Sequence, residues 1–312
     1  MSPSGDVRGR SGAATGDPAG DPATEAFFAH RTLLFTLAYE MLGSVADTED
    51  VLQETWLRWS GADLEQVRDP RAYLVATTTR QALNRLRTLK RRRETYVGPW
   101  LPEPLLTAPD VAEDAELAES LSMAFMCVLE TLQPTERAVF VLREVFDVGY
   151  DEIGAAVGKS PAAVRQIAHR ARGRVRAGRP RTTVTAAENR SVLESFRGAL
   201  RTGDLRGLFD VLAPDVVLFT DAGGLKTAAL RPILGADRVL RFIAGGAGKA
   251  GAPLTFEPAD VNANPALVVR MGGEIDGVVS CRLDGGRVTG LYFVRNPEKL
   301  GRVEAETPLA RG

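Results

Sequence analysis

The sequence predicts a multidomain protein: two all-α modules followed by an α+β domain. Three observations predict it. Apolar residues recur at helical spacing from Phe27 to Val175. From Asp215 onward, short strand-like runs separated by turn residues take over. Basic residues gather in two helical stretches, although the 312-residue chain carries a net charge of only −1. That length exceeds one ordinary core, so two or three domains are expected. The charge balance excludes a polycation, and any nucleic-acid affinity must come from segregated charge.

Residues 1–22 are mostly Gly, Ser, Ala, Asp and Pro without apolar periodicity and read as a disordered tail. From Thr24 a helix places Phe27, Leu34, Leu37, Ala38 and Met41 on one face, and Gly43 ends it. Ser44 with Asp47 resembles a capping box opening a second helix. There Val51, Leu52, Thr55, Trp56 and Trp59 form the side expected to be buried. Asp47, Asp50 and Glu54, flanked by Gln53, form an acidic stripe. Asp69 and Pro70 then start a third helix. Its apolar set includes Val75, Leu83 and Leu86, while Arg80, Asn84, Arg87 and Arg91 line up about a turn apart. It ends in a basic run, residues 90–93, and is one candidate nucleic-acid face.

Residues 94–113 hold Pro99, Pro102, Pro104 and Pro109 and read as an extended linker. Trp100 within it is costly to leave in water and predicts a docking partner. Helices resume at Ala115 with Leu117, Leu121, Ala124, Phe125, Val128 and Leu132, and a further helix starts at Pro134. Tyr150 to Ser160 then read as the first helix and the turn of a helix-turn-helix, with Gly158 in the turn. Ser160 caps and Pro161 opens the second helix. Val164, Ile167, Ala168, Ala171 and Val175 give that helix a packed stripe. Arg165, His169, Arg172 and Arg176 give it a cationic face suited to phosphates and base edges.

From Ala186 the texture changes. A helix carries Leu193, Phe196 and Leu200, and the strand-like runs follow at 215–220, 254–261, 266–271, 278–283 and 287–294. A helix between Gly235 and Ile243 interrupts them, and Asp284–Gly285–Gly286 reads as a hairpin turn. These runs predict a mostly antiparallel, curved sheet with a concave interior. The two cysteines, Cys127 and Cys281, sit in apolar surroundings, which fits reduced core thiols better than a disulfide or a zinc site. No apolar run reaches membrane length, and the amino terminus lacks a signal-peptide core. A cytoplasmic location is expected, with no membrane partner, no metal and no cofactor.

The order of acidic-stripe helix, basic helix, linker and basic helix-turn-helix resembles the RNA polymerase sigma factors of the extracytoplasmic-function type. Residues 38–59, 69–87 and 150–172 carry the resemblance. It implies a sigma-2 helical bundle over 23–93, a linker over 94–113 and a sigma-4 helix-turn-helix over 114–180. It also implies roles. Asp47, Asp50, Gln53, Glu54 and Trp56 would bind core RNA polymerase, whose β′ clamp and β flap are the implied partners. Arg80, Asn84, Arg87 and Arg91 would engage the promoter −10 element. For the −35 element, Arg165, Gln166 and His169 would read bases, with Lys159, Ser160, Arg170 and Arg172 on phosphates.

Residues 186–300 resemble the SnoaL-like fold, a cystatin- or NTF2-like cone, which a subgroup of these sigma factors (the SigJ type) carries as an extension; residues 301–312 read as a tail. The linker WLPEPL (100–105) and NPEKL (296–300) match that subgroup. DAGGLK (221–226) matches its glycine-rich loop at Asp221, Gly223 and Gly224, with Ala222 in place of a glycine and Lys226 displaced by one position. The resemblance implies regulation in cis, without a separate anti-sigma factor. Trp100, Asp221, Gly223, Gly224, Asn296, Pro297, Lys299 and Leu300 would form the regulatory contacts. No catalytic residue is assigned. His30 and His169 lie outside the cone, and Asp276 and Asp284 are read as turn residues. A small-molecule ligand in the cone is the remaining expectation for this domain. The alternative is a DNA-binding regulator with a ligand-sensing or catalytic cone that never joins polymerase.

Overall fold

The computed structural model describes residues 21–178, 184–248 and 250–311. Most of the tail predicted over 1–22, and Pro180, lie outside them. Three helices open the chain: α1 (Pro22–Leu42), α2 (Val45–Ser60) and α3 (Pro70–Glu94). The first starts two residues before Thr24 because the Asp21 carboxylate accepts from the Ala23 N–H and Pro22 fits the first turn. Gly43, at φ 66°, ends it. The Ser44 hydroxyl accepts from the Asp47 N–H and starts α2. Leu34, Leu37, Met41, Val51, Leu52, Trp59 and Leu74 close the core between the three helices. Trp59 donates its indole N–H to the Ala23 carbonyl at 2.7 Å, so the buried ring leaves no polar atom unpaired.

The second helical group is α4 (Ala115–Leu121), α5 (Met123–Leu129), α6 (Pro134–Phe140) running into a π-helical turn (Val141–Val145), α7 (Tyr150–Val157) and α8 (Pro161–Gly178). The apolar period from Leu117 to Leu132 predicts unbroken helix through Ser122, but the chain kinks there. Ser122 is extended (ψ 140°), and its hydroxyl caps α5 at the Phe125 N–H. The helix-turn-helix forms as the sequence implies. Gly158 turns at φ 69°, the Ser160 hydroxyl accepts from the Ala163 N–H at 3.3 Å, and Val164, Ala168, Ala171 and Val175 are buried. One continuous apolar cluster joins both helical groups, and α3 packs directly on α6 and α7.

The last part holds α9 (Ala186–Thr202), α10 (Leu205–Val211), β1 (Leu212–Asp221), β2 (Ile233–Leu234), α11 (Ala236–Ala247), β3 (Leu254–Val261), β4 (Asn264–Met271), β5 (Glu274–Asp284) and β6 (Arg287–Val294). The strands form one sheet in the order β2-β1-β6-β5-β4-β3. Only β1 and β6 run parallel. Gly285 and Gly286, at φ 56° and 73°, make the two-residue hairpin turn expected there.

Both faces of this sheet are covered. Leu267, Val269, Val279, Leu283 and Leu291 pack under Leu193 and Phe196 of α9 and Val239 of α11. Ala266, Val268, Val278, Tyr292 and Val294 pack against Met123 of α5 and Leu101 of the segment after α3. The sheet thus stands between its own helices and the helical half of the chain.

Two irregular segments fasten that arrangement. The proline-rich stretch after α3 is extended, as its prolines require, yet Leu101, Pro102, Pro104, Leu105 and Thr107 are buried. Leu106 bridges Val261 at the end of β3. The chain beyond Leu300 returns over the helices. The Leu106 N–H donates to the Arg302 carbonyl, and the Ala310 N–H donates to the Thr36 hydroxyl of α1. Between β3 and β4 a two-residue turn places Asn262 and Ala263 at φ 54° and 57°. The Asn262 amide donates to the Tyr39 hydroxyl at 2.7 Å, and its carbonyl oxygen accepts from the Leu105 N–H at 2.8 Å.

Candidate nucleic-acid interface

The basic face of α3 is open to solvent. Arg80, Asn84, Arg87 and Lys90 are all exposed, because the opposite side of the helix carries Leu83, Leu86 and Leu89 into the core. Arg87 donates to the Asn84 amide oxygen at 3.3 Å, so these two side chains act as one polar unit. The side chain of Arg91 lies outside the described residues. Arg85 points elsewhere, toward α2. It donates to Asp47 at 2.6 Å and to Asp50 at 2.9 Å.

The acidic stripe therefore already holds one cation. Asp50, Gln53 and Glu54 are exposed, and Asp47 is half-buried beside Arg85. Trp56, predicted on the buried side, is only partly covered. Its ring meets Phe27 edge-on with centroids 5.2 Å apart. Phe28 and Leu57 are exposed nearby, at 62% and 64%. Neither Phe28 nor Leu57 stood out in the sequence, where each looks like a routine helix residue; an apolar residue on the solvent side of α2 was the available signal.

Lys159 and Ser160, just before α8, and Arg165, Gln166, His169 and Arg170 on it are all exposed. Arg172 is different. It donates to Glu144 at 2.9 Å and to the Tyr150 hydroxyl at 3.1 Å. These bonds to Glu144 and Tyr150 hold its guanidinium well above the ordinary range. The phosphate role expected of Arg172 thus competes with an internal bond that orients α8 on the π-turn and α7. Arg174 is paired likewise with Glu136. Arg165 stands over the Tyr150 ring at 5.4 Å, so Tyr150 meets both Arg165 and Arg172.

Most of the residues to which the resemblance gives a regulatory role converge on Asp221, at the end of β1. Its carboxylate is fully buried and accepts from the Tyr96 hydroxyl at 2.6 Å, the Leu101 N–H at 2.8 Å and the Lys299 ammonium at 2.8 Å. Lys299 also donates to the Leu101 carbonyl at 2.6 Å. Burial pulls its pKa below the usual lysine range, against the opposing pull of Asp221. Trp100 finds the partner its exposure cost demanded: Arg93 lies 3.6 Å and Lys299 4.1 Å from its ring. Asn296 donates to the Tyr96 hydroxyl at 2.9 Å. Gly223, at φ 61°, packs so closely that a Cβ would stand 2.5 Å from the Asn296 amide. Gly224 is less crowded: a Cβ there would stand 3.4 Å from the Val97 side chain, but its φ of 78° still favours glycine. Leu300 is buried, and exposed Pro297 opens the short turn that carries Lys299 inward. Lys226 does not join this cluster. It bonds Asp276, which Arg295 also grips through both carboxylate oxygens. Burial raises the Asp276 pKa, but Arg295 and Lys226 outweigh it and hold the carboxyl below its ordinary range. The reading of Asp276 as a turn residue is corrected accordingly: it anchors two cations. Tyr96 was missed from sequence, since its partners lie far along the chain, and Arg93, read as part of the basic run 90–93, instead turns inward to Glu130, the Leu42 carbonyl and the Trp100 ring.

A second ionic seam closes the helical half. Glu130 at the end of α5 binds Arg93 of α3 on one oxygen and Arg137 of α6 on the other. Arg137 is almost fully buried and donates twice to the Glu40 carbonyl of α1, at 3.1 and 2.7 Å. Beside this seam a cavity of about 360 Å³ opens between Leu86, Lys90, Trp100 and Gln133.

Comparison with known proteins finds two family matches, both in the helical part of the chain. Residues 27–92 match the Sigma-70 region 2 family and residues 122–175 the Sigma-70 region 4 family. The chain is 37% identical to the ECF RNA polymerase sigma factor SigJ of Mycobacterium tuberculosis, over 88% of this chain and 92% of that protein. It is 31% identical to the probable ECF sigma factor SigI of the same species, over 92% and 97%. The crystal structure of M. tuberculosis SigJ superposes with a TM-score of 0.73 and 33% identity, covering 92% of this chain and all of that one. With two basic helices in the order these factors use, a mixed-sheet domain behind them, and relatives matched over nearly their whole length, the chain belongs to the extracytoplasmic-function RNA polymerase sigma factors.

Proposed function

We propose that this chain directs core RNA polymerase to its promoters, with α2 docking on the β′ clamp, α3 engaging the −10 element and the first half of α8 reading the −35 element. Asp50, Gln53 and Glu54 offer a basic partner an acidic surface, and the Asp47–Arg85–Asp50 pairing gives it a cation to displace. Arg80, Asn84 and Arg87 would meet the −10 element, and Arg165, Gln166 and His169 would face base edges, where a bidentate pair discriminates by about 1–3 kcal/mol.

The observation that carries the regulatory half of this reading is the packing of α3 on α7. Packed helices lie roughly 8–10 Å apart. Promoter elements centred about 25 base pairs apart are separated by roughly 85 Å of duplex at 3.4 Å per pair. The closed chain therefore cannot read both at once, and it must open between α3 and α4. That connection is the segment held by Asp221 and Lys299, so the cone governs opening in cis through Tyr96, Trp100 and Leu101. A separate anti-sigma protein is not needed for this control. The cone acts as a scaffold rather than a catalyst: Asp221 and Asp276 are both consumed by cations, and apolar side chains of α9 and α11 cover one face of the sheet. Action on polymerase and promoter DNA places the protein in the cytoplasm, and among the described residues no helix is long and apolar enough to cross a membrane.

Run-off transcription with purified core polymerase tests the reading. Truncation from Asn296 should change promoter output while leaving the helical half folded by circular dichroism. Lysines at positions 50 and 54 should abolish core binding. Output that is indifferent to the truncation would remove the regulatory claim, and undiminished core binding would remove the docking claim.

A further inference from the structure

Glu40 lies near the end of α1, and nothing described so far uses its side chain. It is fully buried. Its Oε1 sits 2.6 Å from the hydroxyl of Ser120 on α4, across the boundary between the two helical groups. Its Oε2 has no hydrogen-bond partner. A carboxylate with one bare oxygen in such a place carries a large desolvation penalty.

The Ser120 hydroxyl sharpens the point. It lies within bonding distance of two acceptors, Glu40 Oε1 and the Leu117 carbonyl at 2.9 Å. A hydroxyl owns one proton and cannot donate to both. If Glu40 supplies a proton, its O–H donates to Ser120, and Ser120 donates to Leu117. Both bonds then form, and no charge is buried.

We propose that Glu40 is a proton-operated latch: its neutral carboxyl group fastens α1 to α4, and ionisation loosens that seam. The surroundings agree. From α6, Arg137 faces it, but that guanidinium is spent on Glu130 and on the Glu40 backbone carbonyl. From α3, Arg93 shares Glu130. The segment after α3 brings Glu103 to the same neighbourhood, where it and Glu40 both act on Tyr39. From α4 only the Ser120 hydroxyl reaches it. Burial raises the Glu40 pKa from 4.5 to about 7, with the Ser120 bond and Arg137 opposing weakly.

The linkage has a definite sign. The closed seam binds the proton more tightly than the separated seam, where the carboxyl has its ordinary value. The closed state is therefore favoured at low pH, loses that advantage as pH climbs from the ordinary value to about 7, and changes little above it.

Hydrogen exchange on the full chain tests this, with wild type and Glu40→Gln compared at equal pH so that intrinsic rates cancel. The Gln amide donates to Ser120 at every pH and mimics the neutral acid. In α4, the ratio of wild-type to variant exchange should rise roughly thirtyfold between pH 5.5 and pH 8. Exchange in the β5–β6 hairpin should give the same ratio at both. A ratio in α4 that does not move with pH would overturn the latch. So would an equal change in β5 and β6, which would assign Glu40 to global stability. Polymerase takes no part in the measurement, so its outcome is independent of the transcription reading.

Discussion

The seam between cone and connecting segment and the seam between the two helical groups are built from different chemistry. At the first, one fully buried carboxylate, Asp221, gathers a hydroxyl, a backbone N–H and an ammonium, all within 2.8 Å. At the second, Glu130 is shared by two arginines, and its side chain keeps about a fifth of its exposure beside an open cavity. The difference teaches where rigidity and release reside. A fully buried ion pair whose every partner is bonded holds one geometry. A half-wet Glu shared by two Arg side chains tolerates separation, because water can take over its bonds.

Breaking each seam should therefore give unequal effects. Asp221→Ala leaves the buried Lys299 ammonium without its counter-ion, and the Tyr96 hydroxyl and the Leu101 N–H without their acceptor, and should destabilise the full chain by about 3–5 kcal/mol in denaturant unfolding. A loss below about 1 kcal/mol would mean that water already reaches the cluster. Glu130→Ala should be milder, at roughly 2 kcal/mol, since Arg137 keeps its bonds to the Glu40 carbonyl and Arg93 retains its bond to the Leu42 carbonyl. Finding the two losses equal would erase the distinction drawn here. On the exposed side of the molecule, Arg165→Ala should weaken −35 binding by about 1–3 kcal/mol in a gel-shift titration, with the thermal midpoint unmoved. Arg172→Ala should lower affinity and stability together, because its bonds to Glu144 and Tyr150 position α8. The smallest effect belongs to the cap. Ser160→Ala removes one N-terminal acceptor of α8 and should cost about 1 kcal/mol of stability.

What the sequence made legible follows from distance along the chain. The strands at 254–261, 266–271, 278–283 and 287–294 stood out because runs rich in β-branched and aromatic residues, bounded by turn residues, are local signals. The helix-turn-helix stood out because its cap, turn glycine and apolar stripe fall within 26 residues, counting 150 to 175. α10 was missed: it has seven residues, and two of its four large apolar side chains, Leu205 and Phe209, face solvent, so no periodicity announces it. The break at Ser122 was hidden because the apolar period continues across it, and a serine mid-run reads as an ordinary helix residue. Nothing local in the sequence marks Glu40. Its partner Ser120 lies 80 residues away, and no local pattern connects them. The Asp221 cluster was legible only as motifs, and Tyr96, which bridges Asp221 and Asn296, carried no motif at all.

The hairpin tip at Asn262 and Ala263 has a mechanical consequence. Alanine in a left-handed conformation is strained by roughly 1–2 kcal/mol, and such strain persists only where neighbours enforce it. Here the enforcers are Tyr39 and Leu105, which grip Asn262, and the Thr107 hydroxyl, which holds the Ala263 N–H at 2.9 Å. The tip thus keeps its strained turn at the contact between sheet and helices: were those three contacts to part, the pairing of Val261 with Asn264 would be left to hold it alone.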